Sequence, residues 1–99
     1  MLVVIAKLKA KPGAGDDLAA KFSEMVAWVT ENEAETLTYI CNRSTNDPDE
    51  FVFFERYPDP AALGAHSSSD RFKAFVGEIQ PLLDGGMQVE MLEEVAAKL

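Results

Sequence analysis

Cysteine is almost absent from this sequence: Cys41 stands alone among 99 residues. A lone thiol excludes an intrachain disulfide, and with it the cross-linked frameworks of small secreted domains. Histidine is equally scarce, with His66 the only imidazole. One His and one Cys cannot close a Cys/His zinc site within a single chain. Positive charge is short too, since 9 Lys and Arg face 17 Asp and Glu for a formal net charge of −8. No basic cluster is available to displace counterions from phosphate, so DNA, RNA and anionic membranes are poor partners. Long apolar runs are missing. The opening stretch Met1–Ala6 is broken by Lys7 and is too short for a signal-peptide core. Nothing later approaches the roughly 18 apolar residues of a membrane span. The expectation is a cytoplasmic protein. Gly85-Gly86 precedes a strand pattern and not a helix, so no Gly-rich phosphate loop is indicated.

What is present is an ordinary globular composition, 47% hydrophobic and 26% charged, which argues against disorder. The length suits one domain over residues 1–99. A chain of this size buries only roughly 60–70% of its unfolded surface, so a partner chain would help it.

Residues 2–10 are rich in Val and Ile and then alternate, with Leu2, Val4, Ala6 and Leu8 on one face, the pattern of a strand. Lys11-Pro12-Gly13 ends it. Residues 15–33 switch to a helical period, carrying Leu18, Phe22, Met25, Val26 and Val29 in one stripe with Trp28 at its edge. Residues 36–45 and 50–57 read as strands joined across the turn signal Asn46-Asp47-Pro48-Asp49. Asp59 and Pro60 then start a short helix that reaches about His66. Ser67-Ser68-Ser69-Asp70 caps another helix, which holds Phe72, Phe75, Val76 and Ile79 and stops at Pro81. Met87–Val95 alternates as a last strand. The order is β-α-β-β-α-β, an α+β ferredoxin-like arrangement with an antiparallel sheet and helices on one face. Phe51, Val52, Phe53 and Phe54 make the third strand apolar on both faces. Helices cover one face only, so the sheet of a second copy is the simplest cover for the other, and a homodimer is expected.

The strand ending in Lys11-Pro12-Gly13, the run Phe54-Glu55-Arg56-Tyr57-Pro58-Asp59-Pro60-Ala61-Ala62-Leu63-Gly64-Ala65-His66 and the following Ser69-Asp70-Arg71-Phe72 resemble the antibiotic biosynthesis monooxygenase family over about residues 2–95. Glu55 and Tyr57 match its Glu-x-aromatic at the end of the third strand, His66 its helix-ending His, and Ser69 with Phe72 its Ser-x-x-Phe. The resemblance implies a dimeric α+β barrel with a pocket between helices and sheet. It also implies one of several activities: cofactor-independent oxygenation of quinols or anthrones, haem degradation, or isomerisation of a phosphorylated signal breakdown product. The haem-degrading pattern asks for an Asn in the first strand, a Trp ending the third and a His in the last helix. Those places hold Ala6-Lys7-Leu8, Tyr57, and Phe75 or Val76, so the iron ligand is missing.

His66 can take and return a proton near neutral pH; alternatively it only ends a helix, where a cation complements the dipole. Tyr57 and Glu55 lie two apart on a strand and share a face. Tyr57 could hydrogen-bond a substrate oxygen. Glu55 could orient His66, or pair with Arg56 or Arg43 at the surface. Trp28, Phe72 and Phe75 would wall the pocket or serve as core, and Tyr39 and Asn42 are polar handles on the second strand. Cys41 reads as a small buried residue. Glu31-Glu33-Glu35 and Glu90-Glu93-Glu94 read as solubilising. The expectation is a monooxygenase needing no cofactor or metal, acting with dioxygen on an electron-rich quinol-like aromatic. The alternatives are a non-redox isomerase or proton-transfer enzyme using the same base, and a non-catalytic binding or stress-response module.

Overall fold

The turn at Pro12 and Gly13, where Gly13 adopts a left-handed φ of 82°, separates the first strand from the first helix. A computed structural model describes all residues, 1–99. Strand β1 (Leu2–Lys9) is followed by α1 (Gly15–Asn32), β2 (Thr38–Arg43), β3 (Glu50–Tyr57), α2 (Pro60–Ser68), α3 (Asp70–Ile79), a single tight turn (Gln80–Leu82) and β4 (Gln88–Glu93). The sheet order is β2-β3-β1-β4, with every neighbouring pair antiparallel. This is the expected α+β ferredoxin-like arrangement. No helix is long and apolar enough to cross a membrane.

The helix starts obey local chemistry. The Asp59 carboxylate accepts from the Ala62 N–H at 2.9 Å, and Pro60 takes the first helical position. Ser69 closes α2 and opens α3, its hydroxyl accepting from the Phe72 N–H at 3.0 Å. Helix α1 has no cap of its own at Ala14. Its Gly15 N–H donates instead to Asp49 Oδ1 at 3.1 Å, across from the β2–β3 loop. A Cβ on Gly15 would overlap the Pro48 carbonyl oxygen and the Arg43 guanidinium. The strands at the sheet's margins are shorter than their sequence patterns. After Arg43 the Ser44 hydroxyl accepts from the Asn46 and Asp47 N–H groups, and this turn ends β2.

Alternation sorts the sheet into two faces. Val4, Ala6 and Leu8 of β1 and Phe51 and Phe53 of β3 point at the helices and are buried. Leu18, Phe22, Met25 and Val29 come down on them from α1. The Phe22 ring meets Phe51 and Phe53 edge-on at 5.1 and 4.9 Å, an arrangement that suits the ring quadrupoles.

The register puts Ile40, Phe54 and Ile5 in one row on the opposite face, and Ile40 is 49% exposed. No helix covers that face. Arg56 on the same face holds Glu94 through two parallel bonds of 3.0 Å. Glu94 is therefore a structural partner and not a solubilising charge.

Candidate active site

A cavity of about 290 Å³ lies between the inner sheet face and helices α2 and α3. Val4, Ala6 and Phe53 form its floor, and Phe72 and Phe75 stand over it. The rim on the β4 side is Met87, Val89 and Met91, and Met91 is 62% exposed. The lining is apolar except for His66, Glu55, Tyr39 and Ser67.

His66 is 3% exposed. It sits in the last turn of α2, which turns the ring inward among Tyr39, Phe72 and Tyr57, with centroids 5.1, 5.0 and 5.8 Å away. Its Nδ1 lies 2.6 Å from Glu33 Oε1. Glu33 follows the end of α1 and is itself largely buried. The same Oε1 accepts from the Thr36 hydroxyl at 2.7 Å, while Oε2 is buried without a partner. A carboxylate on Nδ1 fixes a proton there and leaves Nε2 as the acceptor nitrogen.

Glu55 is 6% exposed. Tyr57 donates its hydroxyl proton to Glu55 Oε1 at 2.5 Å, so Oε2 is the oxygen left for a ligand. Burial raises the Glu55 carboxyl above its usual range; the Tyr57 hydrogen bond and His66 act against this, and the Glu33 charge adds to it. Tyr39 faces Glu55 directly across the β2–β3 ladder. Burial, with Glu55 and Glu33 behind it, pushes the Tyr39 phenol far above its ordinary range, so it remains a hydrogen-bond donor. Burial likewise pushes Cys41 up to about 11, which leaves it a poor nucleophile at neutral pH.

Of the residues singled out in the sequence, His66, Glu55, Tyr39, Phe72 and Phe75 meet at the cavity. Three do not. Tyr57 is wholly buried behind Glu55, with its hydroxyl already committed. Trp28 packs at the margin of the core. Asn42 turns to the other sheet face and donates to the Val52 carbonyl at 3.1 Å. Glu55 does not orient His66 and pairs with neither Arg56 nor Arg43: Arg56 holds Glu94, and Arg43 binds Asp16 at 3.0 Å. The orienting carboxylate is Glu33, hidden in the sequence among Glu31 and Glu35. Its one local signal is its place just past the helix end, three residues before Thr36, the spacing of their side-chain bond. The rim residues of β4 were also missed. No three His, Cys, Asp or Glu side chains converge as a metal-ligand set.

Fold and cavity together define a class of small ferredoxin-like proteins with a pocket under the helices, and comparison with known proteins makes it specific. The family model for antibiotic biosynthesis monooxygenase matches residues 1–78. The chain belongs to this family. A crystal structure of an antibiotic biosynthesis monooxygenase is 33% identical, with a TM-score of 0.88 over 97% of this chain and 100% of that one. A Caulobacter crescentus protein, solved as a candidate member of the same group, is 29% identical with a TM-score of 0.90 over 96% and 90%. Rv0793 from Mycobacterium tuberculosis is 27% identical, with a TM-score of 0.85 over 97% and 96%. Among curated proteins, none matches this sequence.

Proposed function

We propose that this protein is a cofactor-independent monooxygenase that oxidises an electron-rich hydroxylated aromatic, such as a quinol or anthrone, with His66 as general base, and that it works as a homodimer. The observation that carries this reading is the Glu33–His66 contact of 2.6 Å at the wall of an apolar cavity. His66 Nε2 takes the phenolic or enolic proton, and Glu33 stabilises the imidazolium that results. The substrate anion, delocalised over its rings, gives one electron to dioxygen, and the two radicals combine at carbon as a peroxide. His66 returns its proton to the peroxide; as the O–O bond breaks the C–H bond of the same carbon breaks too, the carbonyl forms, and that proton completes the water that leaves. For an anthrone the sum is one methylene and one O₂ converted to one carbonyl and one H₂O. The enzyme supplies a base and an enclosure poor in water, which favours a diffuse anion over a solvated one. A cavity of about 290 Å³ is at the small end of ligand pockets and suits two or three fused rings.

The test is oxygen uptake by the purified protein over a panel of quinols and anthrones. Oxygen consumption matched to product is expected. His66→Ala should lower kcat by roughly 10²- to 10⁴-fold with the fold intact. Glu33→Gln should cost about 10²-fold, nearer the lower figure because the imidazole remains. Turnover without oxygen uptake would replace this reading with a proton-transfer isomerase. Silence over the whole panel would leave a binding module.

A further inference from the structure

A neutral imidazole carries one proton, which can rest on either ring nitrogen. Only the ring with its proton on Nδ1 offers Nε2 as an acceptor. The nearness of Glu33 does not by itself decide between the two forms. Its Oε1 stands 2.6 Å from Nδ1. At such a contact an ionised carboxylate accepts from the ring, or a neutral carboxyl donates to it, and Nε2 then holds the ring's proton. Bulk water does not arbitrate, because the ring is buried among Tyr39, Phe72 and Tyr57. The other charged group of the cavity wall, Glu55 on β3, has its Oε1 occupied by the Tyr57 hydroxyl. The choice falls to whatever else touches the Glu33 carboxyl, and one side chain does: the Thr36 hydroxyl, 2.7 Å from the same Oε1.

We propose that Thr36 is a positioning residue that sets the tautomer of His66: its hydroxyl donates to Glu33 Oε1, keeps that oxygen free of a proton, and so makes Nδ1 the donor and Nε2 the acceptor of the ring. The hydroxyl is held where it must be. The Thr36 N–H closes a turn on the Glu33 carbonyl at 3.2 Å, and the next N–H, that of Leu37, bonds the Arg56 carbonyl on β3 at 3.0 Å. Glu33 is fixed in turn by its own N–H, which donates to Val29 at the end of α1 at 2.9 Å. Both contacts to the carboxyl fall on Oε1, while Oε2 is buried without a partner. Thr36 therefore supplies one of only two hydrogen bonds to a largely buried charge. Removal of its hydroxyl leaves the carboxylate a single donor, and an undersatisfied buried anion is costly. A proton on Oε1, shared toward Nδ1, relieves that cost and moves the ring's own proton to Nε2. The consequence for turnover rests on the reading of His66 as general base; the tautomer itself does not.

The experiment is nitrogen NMR of the intact protein labelled at histidine. His66 is the only imidazole in the chain, so a single ring is observed. Spectra are taken at about pH 8, above the ordinary imidazole pKa. The wild-type ring should show a protonated Nδ1 and a bare Nε2. In Thr36→Val, nearly the same shape without the hydroxyl, the ratio of Nε2-protonated to Nδ1-protonated ring should rise about tenfold. Thr36→Ser, which restores the hydroxyl, should return the wild-type spectrum. Thr36→Ala repeats the test should the Val variant fail to fold. A wild-type ring protonated on Nε2, or on both nitrogens, would overturn the proposal. So would a Thr36→Val ring that keeps its proton on Nδ1 alone or gains a second one, or a Thr36→Ser ring that behaves like the Val variant. Kinetics form a separate readout. On any substrate that the oxygen-uptake panel yields, Thr36→Val should lower kcat about tenfold with KM unchanged, and Thr36→Ser should recover it. A changed tautomer with an unchanged kcat would uphold the role of Thr36 and remove His66 as the base.

Discussion

Glu55 is a carboxyl group whose environment works against its charge, and that has a measurable price in pH. Its pKa is raised in the folded protein, chiefly by burial, above the ordinary range of a glutamate carboxyl. Between the unfolded and folded values the native state holds a proton that the unfolded chain has lost. Stability from this group is therefore full below the unfolded pKa and declines as pH rises through the folded one. Glu55→Gln has no such decline. Its urea stability relative to wild type should improve from about pH 4.5 upward and level off once Glu55 has ionised in the folded protein; a constant difference throughout would remove the argument. At this scale the sequence was informative where a residue type was unique and silent where direction mattered. His66 stood out as the only imidazole. Glu33 did not, because three alternating acids look alike until the turn after α1 aims one of them inward. Tyr57 was legible as an aromatic at a strand end, but not as a side chain whose hydroxyl is spent on its neighbour.

Elements were easier to read at their starts than at their ends. Asp59-Pro60 and Ser69 announce helices through side chains that satisfy free N–H groups, and the structure uses each in that way. Helix α1 hides its cap, because Asp49 supplies it from a loop 34 residues away. Strand ends depend on where a partner stops pairing, which no local pattern encodes. Two glycines, one at the start of α1 and one within α2, give a contrast. Gly15→Ala forces a methyl group against the Pro48 carbonyl and the Arg43 guanidinium and should destabilise the protein by about 1–3 kcal/mol. Gly64, in α2, has open space where a Cβ would stand, so Gly64→Ala should stabilise by about 0.5–1 kcal/mol through helix propensity. Urea midpoints of the two variants should move in opposite directions; equal shifts would mean that neither helix is packed as described.

At the scale of the whole molecule, the sheet has one face under helices and one face bare. The bare face carries the Ile5, Phe54 and Ile40 row, which is the feature the doubly apolar third strand foretold. A homodimer through this face should give a light-scattering mass of about twice 10.9 kDa at micromolar concentration. Phe54→Asp should return it to the single-chain mass, whereas a wild-type mass near 10.9 kDa would end the proposal. The polar groups of the cavity have a dispersed origin: Glu33 follows α1, Tyr39 lies on β2, Glu55 on β3 and His66 on α2. Their meeting depends on contacts as distant in the chain as the 33 positions between Glu33 and His66. Each such contact must overcome the entropy of the loop between its partners, which slows its formation. The site thus needs the sheet and the helices together. A chain that has formed its helices but not its sheet holds all four polar side chains and no cavity that they share.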